Sequence, residues 1–269
     1  MEKEFNLITD LKINDISSML TVLPLCGLFT AKKNENIGLD GKTIIEFDNK
    51  QFNYFVKLKG TTLTANDESV LLFLNEVAIK SRSRKIKVSL YELVKNSFFN
   101  LNKQNYEKAK ISLNALFICG ISTYFAVKDK KKNINRGFAD HIIESYEYED
   151  RELEKGDIII TLSEKYYQSL ITAKNPVFLI NRKSRATKCR SNEQKNIYTI
   201  LASWRYEKIA IATLMNIVKS KSKKFDFIEK SLKPILSIVE VDRNQKVFLK
   251  DETIIFCDKL LIENRQTID

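Results

Sequence analysis

The sequence is short of the residues from which most enzyme sites are built. Its 269 residues include one histidine, His141, with 7 glycines and 3 prolines. A single imidazole excludes a His-x-x-x-His zinc site and any chemistry that passes protons between two histidines. Scarce glycine argues against Gly-rich phosphate loops. Gly38-Leu-Asp-Gly41-Lys42-Thr43 ends like such a loop, but Asn36 stands where its first glycine belongs, and the β-prone run Thr43–Phe47 follows in place of a helix. Cys26, Cys119, Cys189 and Cys257 lie far apart with no Cys-x-x-Cys pair, which leaves zinc fingers and redox dithiols without support. The apolar stretch Met19–Phe29 is interrupted by Thr21 and Pro24 and is too short to span a bilayer. No secretory leader precedes it, so reduced thiols and a cytoplasmic location are expected. These absences point to a soluble protein with no catalytic residue, no metal and no cofactor.

Positive charge is in surplus. The net charge is +11, and it is uneven: residues 1–156 carry +3 and residues 157–269 carry +8. A cationic excess focused on one half is the footprint of a polyanion binder. An AT-rich genome raises lysine content without any nucleic-acid role, although it does not by itself concentrate the surplus in one half.

Periodicity and capping signals divide the chain into an arm with a hairpin (1–60) and two similar units (61–156 and 157–269). In the arm, Thr43–Phe47 and Phe52–Leu58 flank a turn-like tetrapeptide. Met19–Phe29 either packs on the first unit or makes a dimer contact. In the first unit, Thr64-Ala-Asn-Asp67 opens a helix and Lys85–Ser89 alternates like a strand. Ser89-Leu-Tyr-Glu92 caps a short helix, and Lys103–Cys119 forms a longer one with Gly120 as its stop. Extended runs at Ser122–Asp129 and Gly137–Tyr148 read as a wing, and the acidic stretch from Glu144 to Asp157 as a strand edge or linker. In the second unit Asp157–Leu162 reads as a strand. Helices are expected from Ser191, over Lys208–Val218 and over Lys223–Leu236, the last with Phe225, Ile228, Leu232 and Ile235 inward. A hairpin follows around Asp242-Arg243-Asn244-Gln245. Helices followed by a hairpin, twice, give an α+β protein with two winged-helix domains in tandem.

Candidate DNA contacts follow from that arrangement. Lys223, Lys230 and Lys233 recur at helical spacing opposite the apolar face of the third helix, with Lys224 at its start. Lysine suits phosphates, while Asp226, Ser222 and Asn244 are candidate base readers. Arg243, Asn244 and Lys246 form a cationic wing tip. In the first unit, Lys103, Asn105 and Lys108 on the longer helix, with Lys131 and Arg136 on its wing, form either a second contact or a solvated face. Arg182, Lys183, Arg185, Lys188 and Arg190 read as a loop that either touches phosphate or is disordered.

Three stretches resemble plasmid replication initiators of the TrfA/RepA type. They are Leu25-Cys-Gly-Leu-Phe29 with the hairpin and the Leu63–Ala78 helix start, then Leu90–Tyr124, and finally Phe225–Ile238 with its Leu232-Lys-Pro234. Family members continue the last motif with Ala, a spacer and Glu-Ile-Asn, where this chain has Ile235-Leu-Ser-Ile238. The resemblance implies binding to repeated double-stranded origin sites (iterons), help in opening the origin, and recruitment of host helicase and replication machinery. It further implies a first winged helix for dimerisation and phosphate contact, and a second that reads sequence in a protein able to form a homodimer. A winged-helix transcriptional regulator is the alternative.

Overall fold

In the computed structural model the described residues are 16–20, 22–25, 28–30, 44–49, 54–60, 62–129, 132–148, 156–171, 177–204 and 208–250. The chain begins with strand β1 (Ile16–Leu20), helix α1 (Val22–Leu25) and strands β2 (Phe29–Thr30), β3 (Ile44–Asn49), β4 (Tyr54–Lys59) and β5 (Leu63–Thr64). Helix α2 (Ala65–Ser81), strand β6 (Lys85–Ser89) and helices α3 (Leu90–Phe98) and α4 (Lys103–Ile118) come next. Strands β7 (Gly120–Asp129), β8 (Lys132–His141), β9 (Ile143–Tyr148) and β10 (Asp157–Leu162) follow them. After helix α5 (Glu164–Ile171) come β11 (Val177–Asn181), α6 (Arg182–Lys188), α7 (Asn192–Ser203), β12 (Ile209–Ala210) and α8 (Ile211–Ile217). Helix α9 (Lys224–Phe227) passes into a π-helical turn, Ile228–Leu232, and a 3-10 turn, Lys233–Ile235, before β13 (Val239–Val241) and β14 (Lys246–Leu249).

Two copies of one topology emerge. α2-β6-α3-α4-β9-β10 and α7-β12-α8-α9-β13-β14 both run helix, strand, helix, helix, hairpin. Their sheets share the order first strand, third strand, second strand: β6-β10-β9 and β12-β14-β13. This is the winged-helix arrangement, and the protein is α+β.

The helix starts follow the capping chemistry. The Asp67 carboxylate accepts from the Thr64 N–H at 2.6 Å and from its hydroxyl at 2.8 Å. Reciprocal boxes join Ser89 with Glu92 and Ser191 with Gln194. Helix α2 is buried on nearly every side and packs against α4, β1, α3 and α7. One continuous apolar core runs from Met19 to Leu249 and so includes both units.

Several expectations are corrected. The hairpin β7-β8 is not the first wing. Its strand β7 pairs with β4, forming a four-stranded antiparallel sheet β3-β4-β7-β8 with the N-terminal hairpin. The first wing is β9 with β10, so a boundary at 156/157 falls between two paired strands. The segment 1–60 is not a separate arm where it is described. β1 pairs with β11 of the second half, β2 with β5, and Met19, Leu20, Leu23, Leu28 and Phe29 are buried. Gly120 does not cap α4; it opens β7, lying between Lys59 and His141. Cys26 and Cys257 lie outside the described residues; Cys119 and Cys189 are free and buried.

Candidate nucleic-acid interface

In a winged helix the third helix and the wing present one surface, so the two units are compared there. In the second unit, Lys230 has no ordinary helical partner for its carbonyl, because Pro234, four residues on, lacks an N–H. The ladder widens into the π-turn at this point, and the Gln194 amide nitrogen donates to the Lys230 carbonyl at 3.2 Å. The third helix is thereby fixed to the start of the first. Phe227, Ser231, Leu232 and Ile235 face the core. Lys223, Lys224, Lys230 and Lys233 are exposed, as expected.

Ion pairs modify their charge. Lys230 Nζ lies 3.0 Å from Asp226 and Lys233 Nζ 2.8 Å from Glu229. Asp226 is therefore paired with its lysine, and the exposed lysines with no ion pair among the described residues cluster earlier, at Lys221, Lys223 and Lys224. The Lys224 ammonium donates to the Gln245 side-chain oxygen, which joins the start of the helix to the tip of the wing.

The wing tip is a closed turn. Asp242 Oδ1 accepts from the Asn244 and Lys246 backbone N–H groups, each at 2.9 Å, and Gln245 has a φ of 57°. The Lys246 N–H, followed by Lys208 at 3.0 Å, holds the Asp242 carboxyl below its ordinary value. Arg243, Asn244 and Lys246 project from this turn as exposed side chains, and Ser222 is exposed beside Lys223. Lys208 also sits 5.3 Å from the Phe248 ring centre.

The first unit differs at the corresponding helix. Lys103 is exposed at its start, but Asn105 is only 7% exposed. Its N–H donates to Asn102 Oδ1 and its amide to the Asn100 carbonyl, both at 2.9 Å, so it shapes the entry to α4 and is not a DNA contact. Lys108 is half-buried and donates to Asn105 Oδ1 at 3.2 Å. Burial, followed by the charges of Arg185 and then Lys108, lowers the Lys195 pKa to about 8. The outer side of α4 exposes Ile111, Phe117 and Ile118. Phe117 meets Tyr146 of the wing edge-on at 5.3 Å, and Tyr148 stacks on Tyr146. Lys131 lies outside the described residues. Arg136 is on β8 opposite Phe125.

The cluster 182–190 is corrected most. Arg182–Lys188 is a helix, and its two arginines are buried. Arg182 Nε donates to Glu76 Oε2 at 2.7 Å, its guanidinium lying between the rings of Phe73 and Phe99. Arg185 donates to Thr199, Ser69, the Ala65 carbonyl and Glu68. Burial pushes the Glu68 carboxyl up, and the Arg185 charge opposes the shift. These arginines bind the halves together and do not reach solvent; Lys183, Lys188 and Arg190 remain exposed.

Sequence patterning missed Phe225. It is 73% exposed on the first turn of the third helix, and Phe227, two residues on, takes the core position assigned to it.

No protein-family model matches the sequence, and no curated protein matches it. Solved structures do. A structure of domains 2 and 3 of RctB superposes with a TM-score of 0.55 over 82% of this chain and 86% of that one, at 7% identity. A second RctB structure, of domains 2–3 (residues 155–483), gives 0.54 over 81% and 83%, again at 7% identity. The likeness is one of fold. Among the described residues no helix is long and apolar enough to cross a membrane, and no cluster of metal-ligating side chains is present.

Proposed function

We propose that this chain is a DNA-binding replication initiator whose second winged helix engages double-stranded DNA. The observation that carries the reading is the convergence of exposed cations at one place: Lys221, Lys223 and Lys224 at the start of the third helix meet Arg243 and Lys246 at the wing tip through the Lys224–Gln245 contact. A helix with one side buried and the other cationic, beside a cationic hairpin, matches the width of the major groove and the phosphates flanking it. RctB, which shares the fold across both units, is a replication initiator of Vibrio chromosome II, and this supports the same role here. The finer reading is an initiator of the plasmid TrfA/RepA type. It acts in the cytoplasm, binds repeated origin sites (iterons), helps open the origin by binding deformed DNA more tightly, and recruits host helicase. Its work is done by binding, without bond-making chemistry.

The test is binding to the DNA flanking its own gene, titrated against salt beside a scrambled duplex. Specific, salt-sensitive binding is expected. Lys223→Ala and Lys246→Ala should each flatten the slope of log K against log salt by about 0.9. Lys230→Ala and Lys233→Ala, whose charges are shared with Asp226 and Glu229, should flatten it less. Equal, weak binding to both duplexes would remove the reading. Maintenance of a plasmid that lacks its own initiator separates replication from a purely transcriptional role.

A further inference from the structure

We infer that Phe225 is a specificity-determining residue that reads the C5-methyl groups of thymines in the major groove; the inference rests on the DNA-binding reading above. Three observations converge on this ring. It is the most exposed of the large apolar side chains described, at 73%. It is not displaced core, since Phe227 fills the core beneath it at full burial. It follows Lys224, which is tied to the wing tip, and shares its helix with the paired Asp226–Lys230 and Glu229–Lys233 side chains, on the side opposite the buried Phe227.

Its chemistry narrows what it recognises. A phenyl ring has no hydrogen-bonding group, so it cannot distinguish bases by donors and acceptors. On the major-groove edge the apolar feature is the thymine methyl. The neighbouring lysines address phosphates, which carry no sequence information, and Asp226 is held by Lys230. The ring therefore supplies base discrimination that the charged side chains around it do not. Wedging between base steps belongs to minor-groove binders; a ring on the third helix faces the wider groove.

The experiment starts from duplexes selected for tight binding to the full chain out of a randomised pool. Each thymine in a selected duplex is then replaced singly by deoxyuridine, which removes only the methyl. At one or more positions the wild-type protein should bind the deoxyuridine duplex about four-fold more weakly, the value of one buried methyl. Phe225→Ala, an exposed substitution, should bind both forms of that duplex equally, while Lys246→Ala weakens both and keeps the discrimination. Wild-type binding that is indifferent to deoxyuridine everywhere, or a Phe225→Ala variant that still discriminates, overturns the inference and leaves the DNA-binding reading in place. Loss of self-association in Phe225→Ala without a change in discrimination also overturns it, assigning the ring to a protein contact. Failure to enrich any duplex removes the DNA-binding reading itself.

Discussion

At the scale of residues, charge has two uses that look alike in sequence. Arg185 and Lys183 sit in one cationic run, yet Arg185 is 2% exposed and bound to Glu68 while Lys183 points to water. Removing one partner of a buried pair leaves the other desolvated, so Arg185→Met is expected to lower the unfolding free energy by about 3–5 kcal/mol in urea titrations. The double change Glu68→Leu with Arg185→Met should recover most of that loss, because an apolar pair of similar volume carries no stranded charge. The signal for this pair was available in the sequence. Glu68 and Glu76 flank the apolar run Val70–Leu74 of α2, and carboxylates buried there demand cations from elsewhere. Nothing local says which cations answer, since Arg182 and Arg185 lie more than a hundred residues away. Asp242 gives a pH prediction of known sign. Its folded carboxyl is held below the ordinary 3.8, so its contribution to the wing turn is complete above that value and is lost as pH falls through the lowered one. The Asn244 and Lys246 amide resonances should stay fixed from neutral pH to about pH 5 and move only in stronger acid.

Elements show where glycine scarcity leaves its mark. Left-handed backbone positions fall on Arg82, Phe99, Lys219 and Gln245, with φ between 51° and 57°, where glycine is the usual occupant. Arg82 ends α2 and is exposed, its N–H bonded to the last carbonyls of the helix. A left-handed non-glycine residue costs about 1–2 kcal/mol, while a glycine adds back about 0.5–1 kcal/mol of chain entropy. Arg82→Gly is therefore expected to raise stability slightly, by about 0.5–1 kcal/mol, as a shift in the urea midpoint with an unchanged slope. Elements also mark the limit of sequence reading. The capping boxes at Thr64, Ser89 and Ser191 were legible because the donor, acceptor and spacing all lie within four residues. The wing of the first unit was not. Residues 120–148 read locally as strand, loop, strand, and nothing in that pattern tells whether β7 pairs with β4 or β6. The third helix of the second unit was legible in place and length. Its π-turn was announced by Pro234, but the rotation that turns Phe225 outward and Phe227 inward was not.

The whole molecule is built so that neither half closes alone. The sheet of the first unit needs β10, and the second half needs β1 against β11. A fragment ending at residue 156 is expected to lose cooperative unfolding, because Ile158, Ile160 and Leu162 leave the core together with their strand pairing. A break inside the 172–176 connection would still keep both wing strands with the first unit. Heating the intact chain should give one transition by far-UV circular dichroism and by the emission of Trp204, as a shared core predicts. The pairing of β1 with β11 reaches past the test tube to the ribosome. Met19 and Leu20 emerge early, but their partners Phe178 and Val177 are made about 160 residues later. At roughly 5–20 residues per second, that interval lasts about 8–32 s. Through it the nascent chain carries an unmated apolar strand, so the length of its wait is set by the pace of translation.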